Sequence, residues 1–269
     1  MKTVRSKDGT LIAVDQQGDG PPIILVDGAL CYRASGPMGP LAAALAPHFT
    51  VFTYDRRGRG DSGNTAPYAI EREVEDIEAI IDEAGGSASL YGISSGAALA
   101  LEAANRGLSI RKLALYEAPF IVDASRPPVP ADIVGQLDDL VASDRRSDAV
   151  RLFMRLVGVP TVFVALMRIM PAWSKLTAVA HTLPYDLTIL KDNQRGKPLS
   201  AGRWAAVRVP TLVMDGGKSP AWMRNAMRAL GEVLPNAQRQ TLDGQNHMIK
   251  AAPLAPVLTE FFADRSERT

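Results

Sequence analysis

A serine flanked by two glycines is the first feature of this sequence that could form a reactive site. The segment reads Gly92-Ile93-Ser94-Ser95-Gly96 and lies between a predicted strand and a predicted helix. A sharp turn from strand to helix holds the serine in a strained backbone conformation, so glycines are needed where neighbouring segments approach it closely. The N-terminus of the following helix would face a developing negative charge. The pattern predicts that Ser94 is a nucleophile, and the alternative is an ordinary structural turn.

A serine hydroxyl needs a general base, normally a histidine, and the chain has three of them. His48 precedes a predicted strand and is interpreted as a surface residue. His181 lies in a helical region, where a lid or surface role is favoured. His247 stands in the loop between the last predicted strand and the last predicted helix. Because the carboxyl ends of parallel strands meet at one edge of a sheet, this loop is predicted to bring His247 to Ser94.

Short apolar runs alternate with helical patterns along most of the chain, which predicts an α/β fold with a parallel sheet and helices on both faces. The predicted strands are 22–27, 48–55, 87–93, 111–117, 209–215 and 239–242, and the predicted helices are 71–84, 95–106, 221–234 and 253–262. In the first of these helices, Val74, Ile77, Ile80 and Ile81 form the apolar stripe, and acidic residues are assigned to the remaining surface.

The alternation stops between Phe120 and Arg208, where a helical, Met-rich insertion follows a proline-rich passage. Such a long excursion from a compact fold usually acts as a lid or a binding element. Residues 1–119 and 209–269 are therefore expected to form the core, and residues 120–208 an inserted lid or binding element.

The composition is that of an ordinary globular protein, with 269 residues, 46% of them hydrophobic, and a formal net charge of +1 at pH 7. This balance provides no overall field to attract nucleic acid or an anionic membrane. A single cysteine, Cys31, excludes a Cys-x-x-Cys site, and three dispersed histidines argue against a metal. Since Gly58-Arg59-Gly60 lacks the nucleotide-binding patterns, no cofactor is expected. The polar N-terminus and the lack of a long apolar segment indicate a cytoplasmic protein.

With these motifs in place, the chain resembles the α/β-hydrolase superfamily over nearly its whole length. The matching segments are residues 26–28, 54–62, 92–96, 210–214 and 244–247. The resemblance implies a mostly parallel sheet of eight strands, with residues 120–208 as the cap. It also implies that Ser94 is the nucleophile and His247 the base of a catalytic triad.

The acid of the triad departs from the family pattern. Family members usually carry it in the loop after the strand over 209–215, and there this chain has Ser219, whose hydroxyl cannot neutralise an imidazolium. Asp215, at the end of that strand, is one alternative. Glu117, at the end of the preceding strand, is favoured, because glutamate's extra methylene would help it reach His247. This arrangement resembles that of fungal zearalenone lactonases, which are family members that carry the acid at the end of this preceding strand.

The resemblance also implies an oxyanion hole made of the backbone N–H groups of Ser95 and Ala29. Asp27 replaces the histidine that often precedes Gly28 in the family, and Cys31 is interpreted as a pocket-wall residue. The apolar side chains of the insertion are expected either to pack within the cap or to form a ceiling over the substrate. These residues are Met154, Met167, Met170 and Trp173. Arg56, Arg57 and Arg59 are interpreted as structural or surface charges.

The sequence therefore predicts a cofactor-independent serine hydrolase that acts on a carboxylic ester or lactone with an apolar portion. The same fold and triad also support C–C bond cleavage, lyase and perhydrolase chemistry. A small-molecule receptor or carrier with a vestigial triad is the alternative outside enzymology. The partner is expected to be a small molecule rather than a nucleic acid or a membrane.

Overall fold

Strands and helices alternate as predicted in the computed structural model, which describes residues 2–263. The strands are β1 (Lys2–Arg5), β2 (Leu11–Gln17), β3 (Pro22–Val26), β4 (Thr50–Tyr54), β5 (Ala88–Ile93), β6 (Ile110–Tyr116), β7 (Thr211–Gly216) and β8 (Ala237–Leu242). The α-helices are α1 (Met38–Leu45), α2 (Ile70–Glu83), α3 (Ser95–Asn105), α4 (Ile133–Ala142), α5 (Arg146–Leu156), α6 (Thr161–Met167), α7 (Ala172–Ala178), α8 (Leu183–Leu190), α9 (Ala221–Val233) and α10 (Ala251–Phe262).

All of these strands belong to one sheet with the order β1-β2-β4-β3-β5-β6-β7-β8. The pairs β1–β2 and β2–β4 are antiparallel, and the remaining pairs are parallel. The eight-stranded, mostly parallel sheet implied by the resemblance is confirmed. Neither β1 nor β2 is among the predicted strands, because β1 is mostly polar and the buried apolar run of β2 is only three residues long, from Ile12 to Val14.

The sheet is buried on both faces because alternate side chains of its strands pack into two separate apolar clusters. On β3, Ile24 and Val26 contribute to the cluster that includes buried residues of α2, α3 and α9. Ile23 and Leu25 point the other way, into the cluster formed with α1 and α10. This two-sided burial explains why the central strands are continuous apolar runs.

Helices α4 to α8 occupy the insertion between β6 and β7. Helix α8 packs against α3 of the core, and most of its residues are buried. The α6–α7 segment differs, since large apolar side chains there are exposed to solvent: Val162, Phe163, Leu166, Ile169 and Met170. Helix α8 is therefore one part of the insertion that is fixed to the core.

The carboxyl ends of the central parallel strands lie in register. Val26 of β3 is opposite Gly92 of β5, Ile93 of β5 is opposite Tyr116 of β6, and Tyr116 is opposite Met214 of β7. The residues that follow these positions are therefore brought to one edge of the sheet. Within residues 2–263, no helix is both long and apolar enough to cross a bilayer.

Candidate active site

Ser94 stands alone between β5 and α3 in a backbone conformation that side chains rarely adopt. Its φ is 57° and its ψ is −128°, a strain on the order of 1–3 kcal/mol that the surrounding structure must hold in place. A Cβ at Gly92 would collide with the carbonyl oxygen of Gly96, and a Cβ at Gly96 with that of Val26. Both glycines therefore permit the close approach that the sharp turn requires.

Glu117 and His247 are in direct contact at the same edge of the sheet. The carboxylate Oε2 lies 2.9 Å from Nδ1 of His247, and Oε1 accepts a hydrogen bond from the N–H of Gly216 at 2.7 Å. The Glu117 side chain is fully buried, whereas that of His247 is about one third exposed. With Nδ1 facing the carboxylate, Nε2 is the ring nitrogen available to a serine hydroxyl.

Hydrogen bonds at the ends of β6 and β7 bring Glu117 and the histidine loop together. Glu117 has a positive φ of 48°, and its N–H donates to the carbonyl oxygen of Met214 at 3.1 Å. The hydroxyl of Tyr116 donates to the carbonyl oxygen of Asn246 at 2.7 Å, which holds the residue before His247. The geometry of the pair is thus set by the ends of β6 and β7.

The two other positions considered for the acid have different surroundings. Asp215 and Ser219 are both buried, and burial raises the pKa of the Asp215 carboxyl above its ordinary value. Within residues 2–263, Asp215 Oδ1 and Ser219 Oγ have no hydrogen-bond partner. Glu117 is thus the candidate acid that contacts His247.

Comparison with known proteins decides the family. A sequence model of the alpha/beta hydrolase family matches residues 19–257. The chain belongs to the alpha/beta hydrolase family. It is 54% identical to an alpha/beta hydrolase from Sphaerobacter thermophilus, whose crystal structure matches with a TM-score of 0.90 over 97% of this chain and 100% of that one.

Two further proteins that are similar to this alpha/beta hydrolase are named as esterases. A pimeloyl-[acyl-carrier protein] methyl ester esterase from Xanthomonas campestris is 29% identical over 242 residues, which cover 87% of this chain and 90% of that protein. An esterase from Exiguobacterium antarcticum shares 19% identity and a TM-score of 0.71, with 96% of each chain covered. The second likeness concerns the fold alone.

The residues predicted to supply the oxyanion hole belong to two segments of the hydrolase that adjoin Ser94. Ser95 is the first residue of α3, where N–H groups have no partner within the helix. Ala29 follows Gly28 in the loop after β3. A Cβ at Gly28 would lie 3.1 Å from Cβ and 3.7 Å from Oγ of Ser94, so this loop passes directly beside the serine.

Asp27 and Cys31, in the same loop, both have a raised pKa. Asp27 is buried, and its Oδ1 accepts the N–H of Gly28 at 3.1 Å. Burial raises the pKa of its carboxyl to about 7. Burial, followed by the charge of Asp27, raises the pKa of the Cys31 thiol well above its usual range. A thiol in that state is a poor nucleophile.

Of the two interpretations of Arg56, Arg57 and Arg59, the structural one is confirmed and the surface one is wrong, because each residue is about 1% exposed. Arg56 forms two hydrogen bonds of 2.7 Å with Glu73, and Arg57 forms two of 2.8 Å with Asp76. Glu73 and Asp76 belong to α2, so the assignment of every acidic residue of that helix to its exposed surface is also wrong. A buried ion is stable only when it is paired.

Asp186 of α8 links the insertion to this arginine cluster and was missed by the sequence analysis. It contacts Arg56 and Arg59 at 2.7 Å each and is fully buried. Burial acts to raise the pKa of its carboxyl, but the charges of the two arginines outweigh it and lower that pKa. The one signal for it in the sequence is a carboxylate inside an otherwise apolar helix.

The predicted ceiling residues have varied surroundings. Trp173 is buried, and its indole N–H donates to Ser147 Oγ within the insertion at 3.1 Å. Met154 and Met167 are half-buried, and Met170 is exposed. A role for them in binding substrate stays a prediction. Within the part of the chain that the structure describes, no three His, Cys, Asp or Glu side chains are grouped to hold a metal ion.

Proposed function

We propose that the chain is a serine hydrolase that cleaves a carboxylic ester or lactone through an acyl-enzyme, without a cofactor. The observation that carries the proposal is the 2.9 Å contact between Glu117 and His247 at the sheet edge where Ser94 stands on its strained turn. A methyl ester esterase among the relatives supports ester chemistry.

In the proposed reaction, Ser94 Oγ attacks the carbonyl carbon as Nε2 of His247 takes its proton. The buried carboxylate of Glu117 stabilises the imidazolium that forms. The N–H groups of Ser95 and Ala29 hold the oxyanion, each contributing about 3–4 kcal/mol to the barrier reduction.

The tetrahedral intermediate then collapses, and His247 returns the proton to the leaving alkoxide, which departs as the alcohol. Water attacks the acyl-enzyme in the second half, again with His247 as the base. This step releases the carboxylic acid and restores the Ser94 hydroxyl. For a lactone, the alcohol and the acid belong to one product molecule.

An apolar portion of the substrate fits the apolar side chains of the insertion. Met154 and Met167 are half-buried and pack against the apolar cluster that includes residues of α2, α3 and α9, and Met side chains adapt readily to differently shaped ligands. We therefore expect small-molecule esters with an acyl or alkyl chain to be better substrates than short, polar ones.

The first experiment is intact-mass analysis after treatment with a small fluorophosphonate, which reacts with activated serines. We expect one adduct on the wild type and none on Ser94→Ala. His247→Ala should lose most of the labelling rate, whereas His48→Ala, which removes an exposed histidine, should keep it. An adduct that persists on Ser94→Ala would refute the assignment of the nucleophile.

The second experiment is a panel of p-nitrophenyl esters and lactones of increasing chain length. Multiple turnover that disappears in Ser94→Ala is the expected result. Labelling without turnover of any ester or lactone would favour a binding role with a vestigial triad instead.

A further inference from the structure

Arg59 contacts the peptide group that carries one of the two proposed oxyanion donors. Its Nη1 donates to the carbonyl oxygen of Gly28 at 2.6 Å and to that of Cys31 at 3.2 Å. Its Nε donates to Thr182 Oγ1 at 3.1 Å, and its Nη2 to Asp186 Oδ2 at 2.7 Å. Because a guanidinium is planar and rigid, these contacts on three nitrogens fix both its position and its orientation.

The carbonyl of Gly28 and the N–H of Ala29 belong to the same peptide group. In a planar trans peptide, these two groups point in opposite directions. Gly28 lies against Ser94, so an arginine that holds the carbonyl on one side turns the N–H of Ala29 to the other. The positive charge of the guanidinium beside the carbonyl oxygen also polarises the peptide group, which makes its N–H a stronger donor.

Asp186 connects the same arginine with the second proposed donor. Its Oδ1 accepts a hydrogen bond from Ser95 Oγ at 2.7 Å, while its Oδ2 contacts Arg59. One carboxylate on α8 of the insertion is thus bonded to the residue that carries one donor and to the arginine that holds the other. The Asp186 side chain therefore attaches the insertion to the core and also links the two segments that carry the proposed oxyanion donors.

We infer that Arg59 is a positioning residue that, held by Asp186, orients the Gly28–Ala29 peptide so that its N–H binds the oxyanion. The inference rests on the proposed hydrolase function. This role differs from a purely structural one, because replacing Arg59 should weaken binding of the transition state by more than any loss of stability explains.

Arg57 provides the matched control. It is as deeply buried as Arg59, but it donates to Asp76, Asp8 and the carbonyl oxygen of Arg72. Those contacts involve α2 and the N-terminal hairpin rather than the loop after β3. Arg57→Lys and Arg59→Lys each keep a positive charge and lose the planar guanidinium. They differ in the backbone segment that loses its contacts, which is α2 for Arg57 and the loop after β3 for Arg59.

The test compares kcat, KM and thermal unfolding of the two variants with p-nitrophenyl butyrate, and their inhibition by a trifluoromethyl ketone that forms a tetrahedral adduct. We expect Arg59→Lys to lower kcat by about 100-fold, with KM within about threefold, as for the loss of one oxyanion donor. Inhibition by the ketone should weaken in parallel. Arg57→Lys should keep kcat within about threefold at a comparable loss of thermal stability.

Equal losses of kcat in the two variants, or a loss in Arg59→Lys that affects KM alone, would overturn the inference. A wild type with neither ester turnover nor fluorophosphonate labelling would overturn the proposed function itself, which is a different result. If Arg59→Lys does not fold, Asp186→Asn takes its place, since it loosens the same guanidinium. The same selective loss of kcat and of ketone inhibition is then expected.

Discussion

Strands β6 and β7 end side by side, yet they present different groups to the histidine loop. β6 leads into Glu117, whose buried carboxylate contacts both Gly216 and His247. β7 leads through Asp215 towards Ser219, and one buried side-chain oxygen of each has no hydrogen-bond partner within residues 2–263. A carboxylate that reaches the histidine from the neighbouring strand makes an acid after β7 unnecessary, which is how we interpret the serine at position 219.

The difference between the two strand ends has a geometric cause. Glu117 adopts a positive φ directly after β6, and its own N–H is bonded to the carbonyl of Met214 in β7. Its longer side chain then extends along the end of β7 to the N–H of Gly216. Glutamate at this position reaches across one strand while its second oxygen remains directed at His247.

The largest effect is expected from Glu117→Gln, which keeps the size of the side chain and removes its charge. A glutamine cannot stabilise the imidazolium, and its amide favours the wrong histidine tautomer. We expect kcat to fall by roughly 10³–10⁴-fold, as in other triads that lose the acid. Steady-state kinetics with p-nitrophenyl butyrate measures the loss.

Asp215→Asn is the matched control for that substitution. It removes a carboxylate from the adjacent strand end without touching the contact with His247, so kcat should stay within about threefold. If Asp215→Asn is the damaging variant and Glu117→Gln the mild one, the assignment of the acid is reversed.

An intermediate effect is expected when a carboxylate is moved from one strand end to the other. Ser219 stands where family members usually carry the acid, and its hydroxyl is buried without a partner among the described residues. In the Glu117→Gln background, Ser219→Asp should recover at least about tenfold in kcat, because a charge near the imidazolium is restored.

Glu117→Gln with Ser219→Asn is the control for this rescue, since asparagine has the same shape and no charge. Recovery with aspartate alone would show that either strand end can supply the acid. Equal activity of the two double variants would mean that the loop after β7 no longer directs position 219 towards His247.

The contrast between the strand ends also separates what the sequence can reveal from what it cannot. Ser94 and His247 can be named as candidates from the sequence because the fold-specific order of strand, turn and helix indicates where each lies. Glu117 can be named because an acid stands at the end of an apolar run beside the expected position. Each of these signals is local, and parallel pairing of the strands then brings the residues to one edge.

The arginine cluster shows the opposite case. Three arginines within four residues are typical of a solvated loop, and their carboxylate partners are 17 to 130 residues away. No periodicity in the loop itself indicates that Glu73, Asp76 and Asp186 will neutralise them. Spacing in α2 held one usable signal, because Glu73 lies four residues before Ile77 and Asp76 lies four residues before Ile80, so each acid shares the buried side of the helix with an isoleucine.

The smallest effect is expected in the stability of Asp215→Asn. Burial raises the pKa of the Asp215 carboxyl in the folded protein, so the folded chain retains a proton that the unfolded chain has already lost. The free energy of unfolding therefore falls as the pH rises from the unfolded pKa through the folded one. Asparagine never ionises and removes this decline.

Urea unfolding should give similar stabilities for the two proteins near pH 4 and a more stable variant near pH 8, by no more than about 1 kcal/mol. Asp19→Asn, at an exposed position, should change stability by less than about 0.5 kcal/mol at both pH values. A variant that is less stable than the wild type near pH 8 would mean that the charged Asp215 carboxylate stabilises the end of β7. Asp215 and Glu117 would then differ in where their carboxylates lie and not in whether the charged form is stabilised.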